Sequence, residues 1–134
     1  MSEAVLPPRV QRFITAHIDS IEKLEVLLLL RTRPEPSWSA EAVSRELRIS
    51  EASATRRLAD LTARGLLVAE GASPPRYRYA PARSDDDADV AELAQAYAER
   101  RVSVISFIFS RPLDTVRGFA DAFRFKRDKD DENG

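Results

Sequence analysis

Apolar residues recur along this chain at intervals of three and four, the spacing that places them on one face of an α-helix. The first such stretch carries Val10, Phe13, Ile14 and Ile18. The second is apolar nearly all round towards its end, so we expect it to be buried on more than one side. The predicted helices cover residues 9–19, 20–33, 40–47, 51–64, a long stretch from about 85 to about 109, and 113–123.

The long helix opens on an acidic run, residues 85–89, which is favourable beside the positive end of the helix dipole. Its expected apolar positions are Val90, Leu93, Ala94, Tyr97, Val104, Ile105, Ile108 and Phe109. Pro112 separates it from the last apolar stripe, which is formed by Leu113, Val116, Phe119, Ala120 and Phe123. Residues 126–134 are densely charged, and we expect them to form a disordered tail.

Capping residues mark where several of these helices begin and end. Asp19 and Glu22 have the spacing of a capping box, with Asp19 as the cap of the second helix. Ser39 and Ser50 are good N-caps for the helices that follow them. Gly65 suits the left-handed position that ends a helix. Two short helices, 40–47 and 51–64, are therefore predicted on either side of a short turn.

Two strands are predicted directly after this helix pair. Residues 66–70 are strand-like, residues 71–75 form a turn-rich loop, and Arg76–Tyr79 alternates between two faces. Tyr77 and Tyr79 fall on one face, where we expect packing, and Arg76 and Arg78 on the other. Trp38 is expected in the core or in a short strand before the helix pair. The fold class predicted is mainly α with a small β-wing.

The segment from Trp38 to Val68 carries a spaced pattern of Leu, Ser and Gly residues. The residues concerned are Leu47, Ile49, Ser50, Leu58, Leu61, Gly65, Leu66 and Leu67. In this pattern the segment resembles the winged helix-turn-helix of bacterial repressors of the MarR and ArsR types. The resemblance implies a DNA-binding transcriptional regulator, with residues 51–64 as the recognition helix and residues 66–81 as the wing.

The predicted organisation has four parts: an N-terminal helix in residues 1–19, the winged helix-turn-helix in 20–81, further helices in 82–125, and the tail in 126–134. The outer helices offer more apolar surface than one small core would absorb. In the repressors that the chain resembles, such helices build a two-fold dimer, so a homodimer is expected. The alternative is that these helices simply wrap their own domain.

The residues expected to contact double-stranded DNA lie on the recognition helix and the wing. Ala52 and Ser53 are small enough to let the backbone approach, Thr55 can touch a base edge, and Arg56 can read guanine. Arg57 and Arg64 are expected on phosphates, which position the protein without reading sequence. Arg76 and Arg78 are expected at a flanking phosphate or in the minor groove. The full set is Ser50, Ala52, Ser53, Thr55, Arg56, Arg57, Arg64, Arg76 and Arg78. Any one of these arginines is about as often solvated surface as a DNA contact.

Charge supports this interpretation only modestly. The chain has a formal net charge of −1, but residues 37–81 carry seven Arg against five acids, a net charge of +2. Glu51 at the start of the recognition helix fits the helix dipole better than a cytosine contact. This charge balance leaves a rival function open: a winged helix that binds a protein partner in transcription or signalling without touching DNA.

Several other classes are disfavoured by composition. The chain has no Cys, one His and four Gly, so thiol chemistry is excluded and neither a metal cluster nor a phosphate-binding loop is visible. His17 on the first helix is expected to be packing or surface. We therefore expect a non-enzyme without a cofactor. The absence of Cys favours the cytoplasm. No signal peptide or membrane span is apparent, so we expect a soluble protein. An effector pocket between the dimer helices is implied by the resemblance alone.

Overall fold

A computed structural model describes residues 6–71 and 73–110 of the chain. Within these residues the chain forms six helices and one two-stranded sheet, as the mainly α fold with a small wing predicts. In chain order the elements are α1 (Pro8–His17), α2 (Ile21–Thr32), α3 (Ala40–Leu47), α4 (Glu51–Ala63), β1 (Leu67–Glu70), β2 (Arg76–Tyr79), α5 (Ser84–Glu99) and α6 (Arg101–Ser110). The predicted helix 113–123 and the tail 126–134 lie outside the described residues.

Two of the three predicted caps are confirmed. The Ser39 hydroxyl accepts a hydrogen bond from the Ala42 N–H at 3.1 Å, and the Ser50 hydroxyl accepts one from the Ser53 N–H at 3.0 Å. These bonds satisfy backbone donors that a helix leaves unpaired in its first turn. They fix the starts of α3 and α4, the two helices on either side of the turn.

The predicted cap of α2 is wrong by one residue. Ser20, not Asp19, caps this helix, with its hydroxyl accepting from the Lys23 N–H at 3.1 Å. Asp19 lies just before the cap and pairs through its carboxylate with the Lys23 ammonium at 3.0 Å. Both residue types are good caps, so the local sequence did not separate them.

The predicted long helix is in fact two helices, α5 and α6, separated at Arg100. The backbone there is not helical, with φ −136° and ψ 55°. A straight helix would turn Arg100 and Arg101 inward, between the buried Tyr97 and Val104. The chain bends instead, and the Arg101 guanidinium lies over the Tyr97 ring at 4.4 Å. The free-energy cost of burying two guanidinium groups thus outweighs the gain from continuing the apolar stripe in one straight helix.

The apolar stripe of these two helices is mostly buried, with three exceptions: Ala94, Ile105 and Phe109. Val90, Leu93 and Val104 are fully buried. Ala96 is buried, whereas Ala94, expected in its place, is only half-buried. Phe109, also expected in the stripe, is 74% exposed.

Helix α2 lies at the centre of the core, as its apolar composition predicts. Leu24, Val26, Leu27 and Leu30 are all fully buried, and the helix packs against α3, α4 and β2. Helices α1, α5 and α6 pack on one another and join the same apolar core. No helix among residues 6–71 and 73–110 is long and apolar enough to cross a membrane.

The wing forms as the alternating pattern predicts. Strands β1 and β2 pair antiparallel, with Leu67 opposite Tyr79 and Glu70 opposite Arg76. Trp38 adds a third, one-residue strand by exchanging backbone hydrogen bonds with Tyr77, at 2.8 and 2.7 Å. Residue 65 is a glycine at φ +79°, in the left-handed region that lets α4 end and the chain turn into β1.

A charged network links α2 to α4 beneath the helix-turn-helix. Lys23 is only 4% exposed, and its ammonium pairs with the carboxylates of Asp19 and Asp60. Burial raises the pKa of the Asp60 carboxyl, but hydrogen bonds and charge from Lys23 and Arg64 outweigh burial and hold it below its ordinary value. The stabilisation from this pairing is therefore present above the ordinary pKa of Asp and lost as the pH falls below it.

Removing the Asp60 carboxylate should destabilise the fold. Asp60→Ala leaves the buried Lys23 ammonium with Asp19 as its remaining carboxylate, so we expect a loss of about 2–3 kcal/mol in the free energy of unfolding. Urea unfolding followed by circular dichroism measures it. Glu35→Ala, in an exposed loop, is the control and should change stability by less than about 0.5 kcal/mol. Equal stability of the two variants would contradict the role of the network.

Candidate nucleic-acid interface

The turn between α3 and α4 sets the angle at which α4 leaves the core. The Ser44 hydroxyl donates to the Ile49 carbonyl at 2.6 Å, and the Ile49 N–H returns a bond to the Ser44 carbonyl at 3.2 Å. Arg48, inside this turn, has a left-handed backbone with φ 61°. These contacts close a short turn between two helices, the geometry of a helix-turn-helix.

Helix α4 has one face in the core and one in solvent. Ala54, Leu58 and Leu61 are fully buried, as predicted for its inner face. On the outer face Ala52, Thr55 and Arg56 are exposed, and Ser53 is half-buried beside its cap, Ser50. The structure therefore brings together five of the predicted site residues in the first two turns of α4.

Arg56 is the free cation of this outer face. Its guanidinium has one long contact, 3.5 Å to the Ser53 hydroxyl, and no carboxylate partner among the described residues. A guanidinium left in this state keeps most of its five N–H donors for a ligand. Ala52 and Thr55 beside it are small enough not to block a surface that approaches α4.

Arg57 and Arg64 are placed differently from Arg56. Arg57 turns towards α2, where its guanidinium lies 3.2 Å from the Glu22 carboxylate. Arg64 follows the last residue of α4, about 20 Å from Ser50 at 1.5 Å per residue. Its guanidinium donates to the Asp60 carboxylate at 2.8 Å and to the Ala16 carbonyl at 2.6 Å. Neither residue joins the cluster around Arg56.

The two wing arginines share one face of β2 and each has a protein partner. Arg76 donates to the Ser37 hydroxyl at 3.0 Å and also to the Ser37 carbonyl. Arg78 pairs with the Glu70 carboxylate on β1 at 3.0 Å. Both contacts lie at the surface. The Arg78–Glu70 ion pair contributes about 0–1 kcal/mol there, and the bonds from Arg76 to the neutral Ser37 leave its charge without a counter-ion among the described residues.

The tyrosines of β2 pack, as predicted. Tyr77 is buried, and Tyr79 is half-buried with its hydroxyl donating to the Asp87 carboxylate at 2.6 Å. Burial, followed by the hydrogen bond and charge of Asp87, raises the pKa of Tyr79. The wing is thereby tied to the start of α5, and its tyrosines take no part in the exposed face.

A groove separates the start of α4 from the wing. Its volume is about 310 Å³. It is lined by Ser39, Ala40, Glu41, Glu51, Thr55, Pro74, Pro75, Arg76 and Tyr77. Glu41 is paired with Arg45 at 2.7 Å, whereas Glu51 has no partner among residues 6–71 and 73–110. The groove therefore mixes one cation with two carboxylates.

Arg48 is a candidate contact that the sequence pattern did not single out. It lies two residues before the cap of α4, is exposed, and has no side-chain partner in the part of the chain that the structure describes. Its position in the turn would have been the signal, because in DNA-binding helix-turn-helix proteins the turn lies beside the end of the second helix that enters the major groove. A free guanidinium there is suited to phosphate.

No other chemistry competes for this surface. Among the described residues no group of three or more His, Cys, Asp or Glu side chains could hold a metal ion. Trp38 is half-buried, and its ring N–H donates to the Arg33 carbonyl at 2.9 Å, so it packs rather than forms a stacking platform. The exposed chemistry beside α4 consists of guanidinium groups, hydroxyls and the two glutamates.

The left-handed backbone of Arg48 leads to a prediction about the free energy of unfolding. Arg48→Gly should raise the free energy of unfolding by about 1 kcal/mol, because glycine adopts this conformation without steric cost. Arg56→Gly is the matched change inside α4 and should lower it by about 1 kcal/mol. Urea unfolding measures both. A loss of stability in Arg48→Gly equal to that in Arg56→Gly would contradict the backbone assignment.

Comparisons with known proteins add little to this description. No family model matches the chain, and no curated protein matches it in sequence. Among solved structures, the chain is similar to a MarR family protein from Bacillus stearothermophilus, with 13% sequence identity and a TM-score of 0.48. The match covers 90% of this chain and 81% of that chain. The winged helix rests on the chain's own elements, the helix pair α3 and α4 followed by the paired strands β1 and β2.

Proposed function

We propose that this protein is a DNA-binding transcriptional regulator whose helix α4 enters the major groove. The observation that carries the proposal is the division of α4 into a fully buried face and an exposed face. The exposed face presents Ala52, Thr55 and the unpaired guanidinium of Arg56 in the first two turns. A recognition helix uses these turns to reach base edges while its opposite face packs on the domain.

Each residue of this face has a proposed role. Arg56 donates two hydrogen bonds to a guanine, the commonest specific contact in the major groove. Thr55 contacts a neighbouring base edge or a thymine methyl group. Ala52, Ser53 and Ser50 allow the backbone of α4 to approach the DNA closely.

The remaining arginines are proposed to position the protein on phosphates. Arg48 is free to do so from the turn. Three arginines exchange their present partners for phosphate oxygens when DNA binds: Arg76 and Arg78 on the wing, and Arg57 on α4. Phosphate contacts of this kind fix register without reading sequence. Arg64 is tied to α1 at the far end of α4, so its predicted phosphate contact stays a prediction.

A homodimer is proposed through α1 and α6. Val102 and Phe109 are the large hydrophobic side chains left most exposed among the described residues, at 76% and 74%. Both lie on α6, and Val102 lines a groove of about 430 Å³ together with Leu6 and Phe107. A second copy of the same face would cover these side chains. A two-fold dimer also gives two copies of α4 for two half-sites.

The second candidate function is the binding of a protein partner through the same groove. The unpaired Glu51 and the paired Glu41 favour it, because carboxylates repel a DNA backbone. The two functions differ in their dependence on salt. Phosphate neutralisation makes DNA affinity fall steeply as salt rises, whereas a partner-binding module has no DNA affinity to lose.

Arg56 should determine sequence preference. Against a fragment that the protein selects from genomic DNA, Arg56→Ala should weaken binding about tenfold and reduce the preference over unrelated DNA by a similar factor. Arg78→Ala should weaken binding to both DNAs alike. Fluorescence anisotropy at fixed salt measures each affinity.

Arg83→Ala is the matched control for these variants. Arg83 is exposed and follows Ala82, whose N–H donates to the Gly65 carbonyl at the far end of α4. The same charge is therefore removed away from the proposed contacts, and affinity should stay within about twofold. Equal losses on both DNAs in Arg56→Ala would contradict the base-reading role.

Charge placed on α6 should disrupt the dimer. The chain has a mass of 15.0 kDa, so sedimentation equilibrium should give about twice that mass for the unmodified protein. Phe109→Asp should give the monomer mass, since the new carboxylate would be buried without a partner. Ala69→Asp adds the same charge on exposed β1 and should leave the dimer intact. A monomeric unmodified protein would contradict the proposed assembly.

A further inference from the structure

The end of α4 is joined to the end of α1 by Arg64. The last carbonyls of a helix have no partner within that helix. The Ala16 carbonyl in the last turn of α1 accepts a hydrogen bond from the Arg64 guanidinium at 2.6 Å. A cation at this position is also favoured by the negative end of the helix dipole. Arg64 therefore caps α1 from a different element, and we call this the α1–α4 contact.

His17 is the second side chain of this contact. Its Nδ1 lies 3.5 Å from the same guanidinium nitrogen of Arg64 that caps α1. The ring is half-buried and packs against Phe13, with the ring centroids 4.8 Å apart. Arginine has only donors, so a hydrogen bond between the two side chains requires the neutral imidazole with its lone pair on Nδ1. A proton on Nδ1 would place an N–H of the imidazolium against an N–H of the Arg64 guanidinium, and two positive groups would repel each other.

Charged groups from three helices surround this contact. Helix α4 contributes Asp60, Arg64 follows it at its C-cap, and α5 contributes Asp86 and Asp89. Helix α2 contributes Lys23, which pairs with Asp60. Burial and then the Arg64 charge lower the pKa of His17, and the three aspartates oppose this without reversing it.

We propose that the α1–α4 contact is a proton-sensitive switch. With His17 neutral, Arg64 caps α1 and links it to the end of α4. When His17 takes up a proton, it repels Arg64 from the Ala16 carbonyl and frees α4 from α1. The switch itself does not rest on the proposed function. Its effect on DNA binding rests on that function, because α1 belongs to the proposed dimer interface and α4 makes the proposed DNA contact.

The direction of the pH dependence follows from linkage. The pKa of His17 is lower in the folded chain than the ordinary value of about 6.5, which applies to the unfolded chain. Below that pH the unfolded chain binds more protons, so the folded chain loses stability as the pH falls. The stabilisation is complete above about 6.5. Asp60, whose pKa is held below its ordinary value, titrates at lower pH and does not contribute to this range.

The switch is tested first by the titration of His17. The sequence contains a single histidine, so its NMR signal needs no assignment by mutagenesis. We expect it to titrate below the ordinary pKa, and to move back towards that value in Arg64→Gln. Arg57→Gln removes the same charge from the same helix and should leave the titration unchanged. A His17 pKa at or above the ordinary value, or one that Arg64→Gln does not move, would overturn the proposal.

A stability measurement supplies a second test. Urea unfolding at pH 7.5 and 5.5 should show that the unmodified protein loses stability on acidification. His17→Gln has no proton to gain and should lose less over the same range. An equal loss in both proteins would overturn the proposal, whatever the outcome of the DNA experiments.

DNA affinity tests the functional consequence separately. Added positive charge alone would tighten DNA binding at low pH, whereas release of α4 should weaken it about fivefold or more between pH 7.5 and 5.5. His17→Gln should abolish this weakening. If DNA binding does not weaken on acidification although His17 titrates as expected, the α1–α4 contact does not control DNA affinity and this part of the proposal is wrong. Absence of DNA binding at both pH values would instead refute the proposed function and leave the His17 tests standing.

Discussion

Helix α2 is apolar nearly all the way round, and the rest of the structure is arranged to cover it. Its fully buried leucines and valine contact α3, α4 and the wing strand β2. Polar groups at its edges make specific links as well: Glu22 to Arg57, Lys23 to Asp60, and Glu25 to the Tyr97 hydroxyl of α5 at 2.9 Å. Because α4 must give one whole face to this core, its other face is left to solvent. The proposed recognition surface is thus a consequence of how α2 is buried.

The features predicted correctly from the sequence are those that local chemistry decides. Ser39 and Ser50 cap helices because their hydroxyls reach backbone donors three residues on. Gly65 ends α4 because its left-handed backbone suits glycine, and the alternation of Arg76–Tyr79 needs only the geometry of a strand. The inner face of α4 follows from the 3.6-residue repeat. Each of these depends on a few neighbouring residues.

What the sequence did not reveal depends on distant parts of the chain. The break at Arg100 was missed because the apolar stripe continues in phase on both sides, and only the cost of burying two arginines interrupts it. Arg57, Arg64 and Arg76 each have a partner 35 or more residues away, and among these three only Arg64 also has a local one, Asp60. No local pattern therefore indicates which guanidinium groups are held by distant elements. This matters for the candidate site, because Arg56 and Arg48 differ from the other arginines in partners rather than in residue type.

The account rests on the claim that the exposed face of α4 reads DNA. The most direct measurement is fluorescence anisotropy on a pool of labelled genomic fragments, at low and at moderate salt. The account predicts binding at low salt to most fragments and retention of a few at moderate salt, since phosphate contacts weaken with salt while base contacts distinguish sites. Absence of binding at either salt would contradict it and would favour a protein partner for the same groove.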